Sequence, residues 1–447
     1  MKKMRWGVPL LLILLLAGSV YYMVDSRMRV IDDYNKKLSE ARKAVQNGVL
    51  TDGLALYEQA LSVYPSEEIY TETGNVYLDS DDLQGAQNWY EREFVARYPD
   101  APQAYEYGIR ASLAAEDYRE ALAIYDVCSR REALSEEIQK LIQPVWYSYE
   151  LLYGSYDEVG AFSSQNGFAA VKSGDRWSYV NQDGETEITD SYQSADVFGE
   201  CAAVVDSQGE AYYIDESGNT KFTASQFTDT GESSEQIQLF RPIADGLALA
   251  YDGRTWSYYQ METYKRAFGG FADATVIANG IGAVTKDGTA WALIGTDGQE
   301  ITGYDYDQAV TNSRGILCCT DALFVMQDGK YWLIDAAGNK RNQNAYDAVY
   351  AFEQDSWAAA KKNGKWIFVN SLGEEKELGV FEEAKSFSNG LAAVQKDGKW
   401  GYIDLEGNLV IDCIFYDAGS FNEKGVAFVK PTETEWNALS LYRYHTD

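Results

Sequence analysis

A hairpin unit of about 35 residues recurs through the C-terminal two-thirds of the chain, and repetition of this kind restricts folding to copies of one element that stack or close on each other. The clearest copy runs from Phe387 to Ile411 and contains Gly390-Leu-Ala-Ala-Val, then Asp397-Gly398-Lys399-Trp400-Gly401-Tyr402, then Gly407. It reads as a short apolar strand, an Asp-Gly turn, a strand alternating around Trp and Tyr, a Gly turn and a further strand. Asp-Gly between alternating segments predicts a type I′ hairpin, in which both central residues take positive φ.

Comparable segments surround Trp177, Trp256, Trp291, Tyr331-Trp332, Trp366 and Trp436, and a copy with Ala211 in the Trp position precedes Tyr212-Tyr213. With Ala211 and Tyr331 holding that position, successive spacings from Trp177 to Trp436 are 34, 45, 35, 40, 35, 34 and 36 residues. These residues resemble the WG-repeat family, whose unit carries a Lys-Trp-Gly-Tyr-Ile-Asp core. Trp400-Gly401 keeps the dipeptide itself. A choline-binding type of cell-wall repeat is also built from Trp- and Tyr-rich hairpins, but its unit is shorter than the period here. Eight short-stranded units must close radially or stack linearly, and closure removes exposed sheet edges. The expectation is a β-propeller of seven or eight blades over residues 156–447, with an open β-solenoid as the alternative. Most Trp and Tyr side chains are then packing residues, and a few at strand ends could form a stacking surface for glycan or peptide.

Residues 34–155 follow a different period. Pro65 and Pro99 lie 34 residues apart, as do Gly74 and Gly108, and Ala60, Ala86, Ala121, Tyr57, Tyr90 and Tyr125 fall at helical intervals between them. This resembles the tetratricopeptide repeat, which implies stacked helix pairs with a concave groove for a protein or peptide partner. The segment from Leu134 to Tyr153 reads as a closing helix interrupted at Pro144. Asp79-Ser-Asp-Asp-Leu-Gln-Gly85 has the look of a calcium loop but lacks an acid at the fifth position, which favours a simple turn.

Lys2, Lys3 and Arg5 precede an uncharged, mostly apolar run from Trp6 to Val24, long enough to span a bilayer as a helix. A signal peptide cleaved near Ala17-Gly18-Ser19 is the competing reading. Leu16-Ala17-Gly18-Ser19 resembles a lipobox in which Ser19 replaces the lipid-bearing cysteine. The preferred organisation is a cytoplasmic head at 1–5, a transmembrane anchor at 6–24, a juxtamembrane linker at 25–33, helical repeats at 34–155 and β repeats at 156–447, all beyond Asp25 being extracytoplasmic. Five cysteines without a C-x-x-C pattern, Cys318 and Cys319 adjacent, suit buried small hydrophobes, and the odd number fits a Gram-positive type bacterium that makes little use of disulfides.

A formal charge of −31 opposes phosphate-backbone binding, so no nucleic-acid partner is expected. The one histidine, His445, stands near the C-terminus, where a catalytic imidazole would be poorly held, and no phosphate-binding loop is present. Asp252-Gly253-Arg254-Thr255-Trp256 approaches an Asp-box, itself a turn element. The sequence therefore predicts no enzyme, no cofactor, no metal site and no catalytic residue. The expected function is a membrane-anchored interaction scaffold, the alternative a cell-wall or glycan-binding receptor, and a glycoside-processing enzyme stands a distant third. The sequence names no ligand-binding residue.

Overall fold

The computed structural model describes residues 7–228, 237–317, 321–353 and 357–444, with side chains 7–14 and 18 left out. The chain divides into two compact units between Ser148 and Tyr149.

The first unit is helical: α1 Gly7–Gln46, α2 Leu50–Val63, α3 Glu67–Asp79, α4 Leu83–Trp89, α5 Val95–Arg97, α6 Pro102–Ala114, α7 Tyr118–Arg130 and α8 Glu136–Ile142. Four of these starts, those of α3, α4, α7 and α8, follow from capping, because a side-chain oxygen satisfies an amide that has no partner inside the helix. Ser66 accepts from the Ile69 N–H, Asp82 from Gly85, Asp117 from Glu120 and Ser135 from Ile138. The calcium-loop look-alike is thus a turn ending in an N-cap at Asp82. A π-helical turn, Tyr90–Phe94, widens the helix between α4 and α5. Tyr70, Trp89, Phe94 and Tyr107 pack the interior, and the Tyr107 hydroxyl donates to the Gly74 carbonyl at 3.0 Å.

Three expectations for this region change. Residues 25–33 are not a linker but part of the 40-residue helix α1, supported by acid-before-base pairs at i,i+4: Asp25–Arg29 at 2.9 Å and Asp33–Lys37 at 3.0 Å. The expected helix over Leu134–Tyr153 stops at Ile142, continues as a 3₁₀ turn through Pro144, and gives way to a strand at Tyr149–Leu151. The boundary accordingly falls at Ser148/Tyr149 and not at 155/156. As for the anchor, no helix among the described residues is long and apolar enough to cross a membrane. Of the Trp6–Val24 run, Trp6 falls outside the described residues, as do His445, Cys318 and Cys319.

The second unit is a β-propeller of eight blades. Each of the first seven sheets runs in chain order from a two-residue inner strand outward. Blade 7, for example, comprises Glu383–Ala384, Ala392–Lys396, Lys399–Ile403 and Leu409–Phe415. Blade 4 has three regular strands among the described residues. There the Trp291↔Tyr306 and Ile294↔Glu300 bridges tie an irregular segment where an outer strand would lie. Every Trp-position residue falls at the start of a third strand or, for Trp436, one residue before it. The Asp-Gly turn also forms as expected, with φ of 51° at Asp397 and 70° at Gly398. Gly401 has its own reason: a Cβ there would lie 2.4 Å from the Ile411 carbonyl oxygen, beside a bulge between the third and outer strands.

Cohesion lies between blades. One core gathers Ala170, Tyr179 and Ile188 of blade 1 with Phe198, Val204 and Ile214 of blade 2, and the same arrangement recurs around the ring. Within it, a tyrosine two residues after the Trp position donates to a backbone carbonyl just past the next inner strand. These bonds are Tyr179 to Asp196 at 2.8 Å, Tyr213 to Arg241 at 2.8 Å, Tyr258 to Thr275 at 2.6 Å and Tyr402 to Gly419 at 2.9 Å. All four side chains are fully buried. Phenylalanines of the following blade pack on three of these rings, as Phe421 does on Tyr402 with centroids 4.7 Å apart, while Tyr258 packs on Phe268 and Phe271 of its own blade.

Ring closure comes from both ends of the unit. Tyr149–Leu151 supplies the outer strand of blade 8, pairing Tyr149 with Leu441, Glu150 with Ser440 and Leu151 with Leu439. Phe162 of blade 1 stacks on Phe428 of blade 8 at 4.6 Å and 4°. This closed ring selects the propeller over the open solenoid.

Two measurements check this account. Because the Leu152 N–H donates to Ala438, ladder alternation places Glu150 at a hydrogen-bonded pair. Glu150→Pro should then cost about 1 kcal/mol or more and lower the melting temperature by roughly 2–4 °C, while Glu150→Ala changes little. Tyr402→Phe, which strips the buried Gly419 carbonyl of its donor, should cost about 1 kcal/mol in denaturant titration, and Tyr416→Phe at the exposed neighbour should cost nothing measurable.

Candidate functional site

The residues that follow the inner strands converge on the axis of the ring. A cavity of about 250 Å³ is lined by blades 1, 5, 6, 7 and 8, including Gly160, Phe162, Glu353, Ser388, Asn422 and Trp436. A second, of about 440 Å³, is lined by blades 2 to 5, including Asp196, Arg241, Asp273 and Trp291. Blades 1 and 5 stand opposite each other in an eight-membered ring, so a cavity touching both lies on the axis. Ser313 and Arg314 border both cavities, which makes them parts of one axial channel to which all eight blades contribute.

Polar ties between neighbouring blades brace its wall. Arg241 pairs with Asp196 at 3.1 Å, Lys385 pairs with Asp417 at 2.9 Å and also donates to the Ala418 carbonyl, and the Tyr350 hydroxyl donates to Glu383. Within the channel Glu353 accepts from both the Ser313 N–H at 3.0 Å and the Ser313 hydroxyl at 2.9 Å. Burial pushes the Glu353 carboxyl above its ordinary value, and the Ser313 donors, Arg314 and Lys385 only partly offset it.

The Trp positions divide into two groups. Trp256, Trp366 and Trp400 are buried, Trp366 donating to the Glu382 carbonyl at 3.1 Å and Trp400 lying under the Lys385 ammonium at 4.6 Å. Trp291 and Trp436 border the channel. Packing thus accounts for the first three, while the other two pack partly on the blade cores and also border the channel. Elsewhere the sequence candidates are structural. Asp252 accepts from the Arg254 and Thr255 amides in its turn, and burial pushes the Cys128 and Cys201 thiols up to about 11 and about 12. The channel residues Glu353, Arg314 and Asn422 carry no motif, and only their positions just beyond the inner strands, once the blades are aligned, could have marked them.

The helical unit holds its own concavity, of about 630 Å³, bordered by Glu58, Tyr70, Tyr77, Trp89, Arg92 and Glu93. Trp89 packs on Tyr70 with centroids 5.2 Å apart and donates to the Tyr70 carbonyl. The π-helical turn contributes Arg92 and Glu93, a widening often found where helices meet ligands.

The raised Glu353 value carries a sign that can be tested. A carboxyl whose folded value is raised contributes stability below the ordinary 4.5 and loses it as pH rises through the folded value. Glu353→Gln removes that titration. The melting temperature of the variant minus that of the parent should therefore become more positive between pH 4.5 and 7.

Comparison with known proteins locates the repeat. The family described as "WG containing repeat" matches residues 154–177, 345–366, 368–400 and 400–430, in blade 1 and from the outer strand of blade 5 through blade 8. No curated protein matches the chain. Among solved structures, the computationally designed Ika8 protein is 11% identical over 65% of this chain and 98% of its own, with a TM-score of 0.42. The WD40 β-propeller domain of Doa1 is 13% identical over 66% of this chain and 97% of its own, at 0.32. The Sgt2 tetratricopeptide domain from Aspergillus fumigatus is 21% identical over 25% of this chain and 74% of its own, at 0.22. The propeller assignment rests on the strand order itself, and the C-terminal unit of this chain carries WG containing repeats.

Proposed function

We propose that this protein is a membrane-anchored scaffold for protein–protein interaction. The observation that carries this reading is the axial channel, a concave surface built jointly by eight blades and lined with aromatic and mixed-charge side chains. The aromatic concavity of the helical unit supplies a second surface, and the 34-residue period of that unit supports reading it as tetratricopeptide-like. The anchor rests on the sequence alone, on the apolar run from Trp6 to Val24 behind Lys2, Lys3 and Arg5, with the rest of the chain outside the cytoplasm. A non-enzymatic role rests on the single histidine, His445, and on the missing phosphate loop. A second reading, glycan binding, draws support from Trp291 and Trp436 at the channel.

Site-specific photocrosslinking in the full chain, in its own cells, separates these readings. A photoreactive residue in place of Asn88 or Ser388 should give discrete protein adducts, those at Asn88 lost on Trp89→Ala. Adducts to wall polymer with none to protein would overturn the scaffold in favour of the glycan reading. Protease added to intact cells should cut beyond Asp25, and full protection would overturn the topology.

A further inference from the structure

The seam between blade 8 and blade 1 lacks two ties that other seams possess. At other seams a turn residue donates to the carbonyl of the next blade's phenylalanine: Asn312 Nδ2 to Phe352 at 3.3 Å and Ser388 Oγ to Phe421 at 2.6 Å. Asn422 occupies the same turn position in blade 8, and its Oδ1 accepts from the Lys424 and Val426 amides at 3.0 and 2.9 Å. That fixes the side-chain orientation and leaves Nδ2 as the donor. Yet Asn422 is only 6% exposed, and its Nδ2 has no hydrogen-bond partner among the described residues. The second missing tie is the tyrosine hydroxyl of blades 1, 2, 3 and 7, because Ala438 stands where Tyr402 stands, as Leu293, Leu333 and Phe368 do in blades 4 to 6.

The seam also holds space. The residue after the inner strand is Asp196, Arg241, Thr275, Val310, Tyr350 or Lys385 in blades 2 to 7, but Gly160 and Gly419 in blades 1 and 8. A buried amide donor left unpaired is costly, so a cavity beside it calls for an acceptor. Across the same cavity lies the Glu353 carboxylate, held by Ser313, with the Phe162 and Trp436 rings on the wall.

The structure assigns this seam cavity as a binding site for a partner peptide segment carrying a lysine or arginine, whose main-chain carbonyl accepts from Asn422 Nδ2 and whose cationic side chain pairs with Glu353. This rests on the protein-binding reading above and deepens it by naming the chemistry of the partner. The acidity of the chain, −31 overall, favours a cationic partner and speeds its approach. Arg314 and Lys385 also face Glu353, so the incoming cation shares the carboxylate with them.

The test uses the full chain in calorimetric titrations with Nα-acetyl-arginine amide, with Nα-acetyl-leucine amide as the neutral control and spermidine as a cation without an amide. The arginine amide should bind at least about tenfold more tightly than the other two. Gly160→Leu fills the cavity, and the nearest contact of its Cβ would be an ordinary 3.4 Å, so the variant should fold and lose binding. Glu353→Gln should abolish the preference for arginine over leucine. Asn422→Asp keeps the turn, as Asp206 and Asp404 do in other blades, but removes the donor. Its affinity for the arginine amide should fall severalfold despite the added negative charge. Unchanged binding by a folded Gly160→Leu, tighter binding by Asn422→Asp, or equal binding of spermidine would overturn the assignment. Protein adducts at Asn88, outside the propeller, report on the scaffold reading independently, so either can fail alone.

Discussion

A four-stranded blade has two faces and cannot bury either alone, so the propeller depends on the contact each blade makes with the next. That contact is a core in which each blade supplies small and large residues together, Ala170 and Tyr179 from blade 1 meeting Ala202 and Phe198 from blade 2. The tyrosine-to-carbonyl bond adds direction to a packing force that has none. It ties a hydroxyl, buried too deeply to find water, to a carbonyl at a fixed point of the next blade, and so fixes the angle at which consecutive blades meet. Made by four of the eight blades, it sets the angle at half of the seams, and packing alone sets it at the rest.

Much of this architecture was legible in the sequence because its determinants are local. The Asp397-Gly398 turn needs positive φ at two adjacent residues, and few dipeptides accept that. Trp177, Trp366 and Trp400 recur at near-constant intervals because each opens a third strand at the same height. The Asx turns were only half visible. The glycines at 184, 338 and 407 read as turn markers, whereas the Asp or Asn three residues earlier, which accepts two amides in each case, gave no separate signal.

What escaped the sequence was long-range. Tyr149–Leu151 has no strand signature and becomes one because it takes the outer place in blade 8, whose other described strands fill only the three inner places. Residues 25–33 carry enough charge to look like a linker, although the spacing of those charges suits a helix face. The channel residues were invisible for a related reason: Glu353, Arg314 and Asn422 lie 39 or more residues apart in sequence and share a cavity only after the ring has closed. Asn422 in particular looks like any turn asparagine, and its unpaired amide is defined by what blade 1 does not offer.

The closing strand also sets a schedule for the molecule's making. Tyr149 leaves the ribosome long before its partner Leu441, and at ordinary rates of synthesis the interval is roughly 15–60 s. Throughout that time the early blades can form their hairpins and their mutual contacts, but blade 1 presents Phe162 and Val171 to solvent on the side that blade 8 will cover. The nascent protein is therefore a growing arc with an exposed apolar end, vulnerable to pairing with another arc until its last strand arrives.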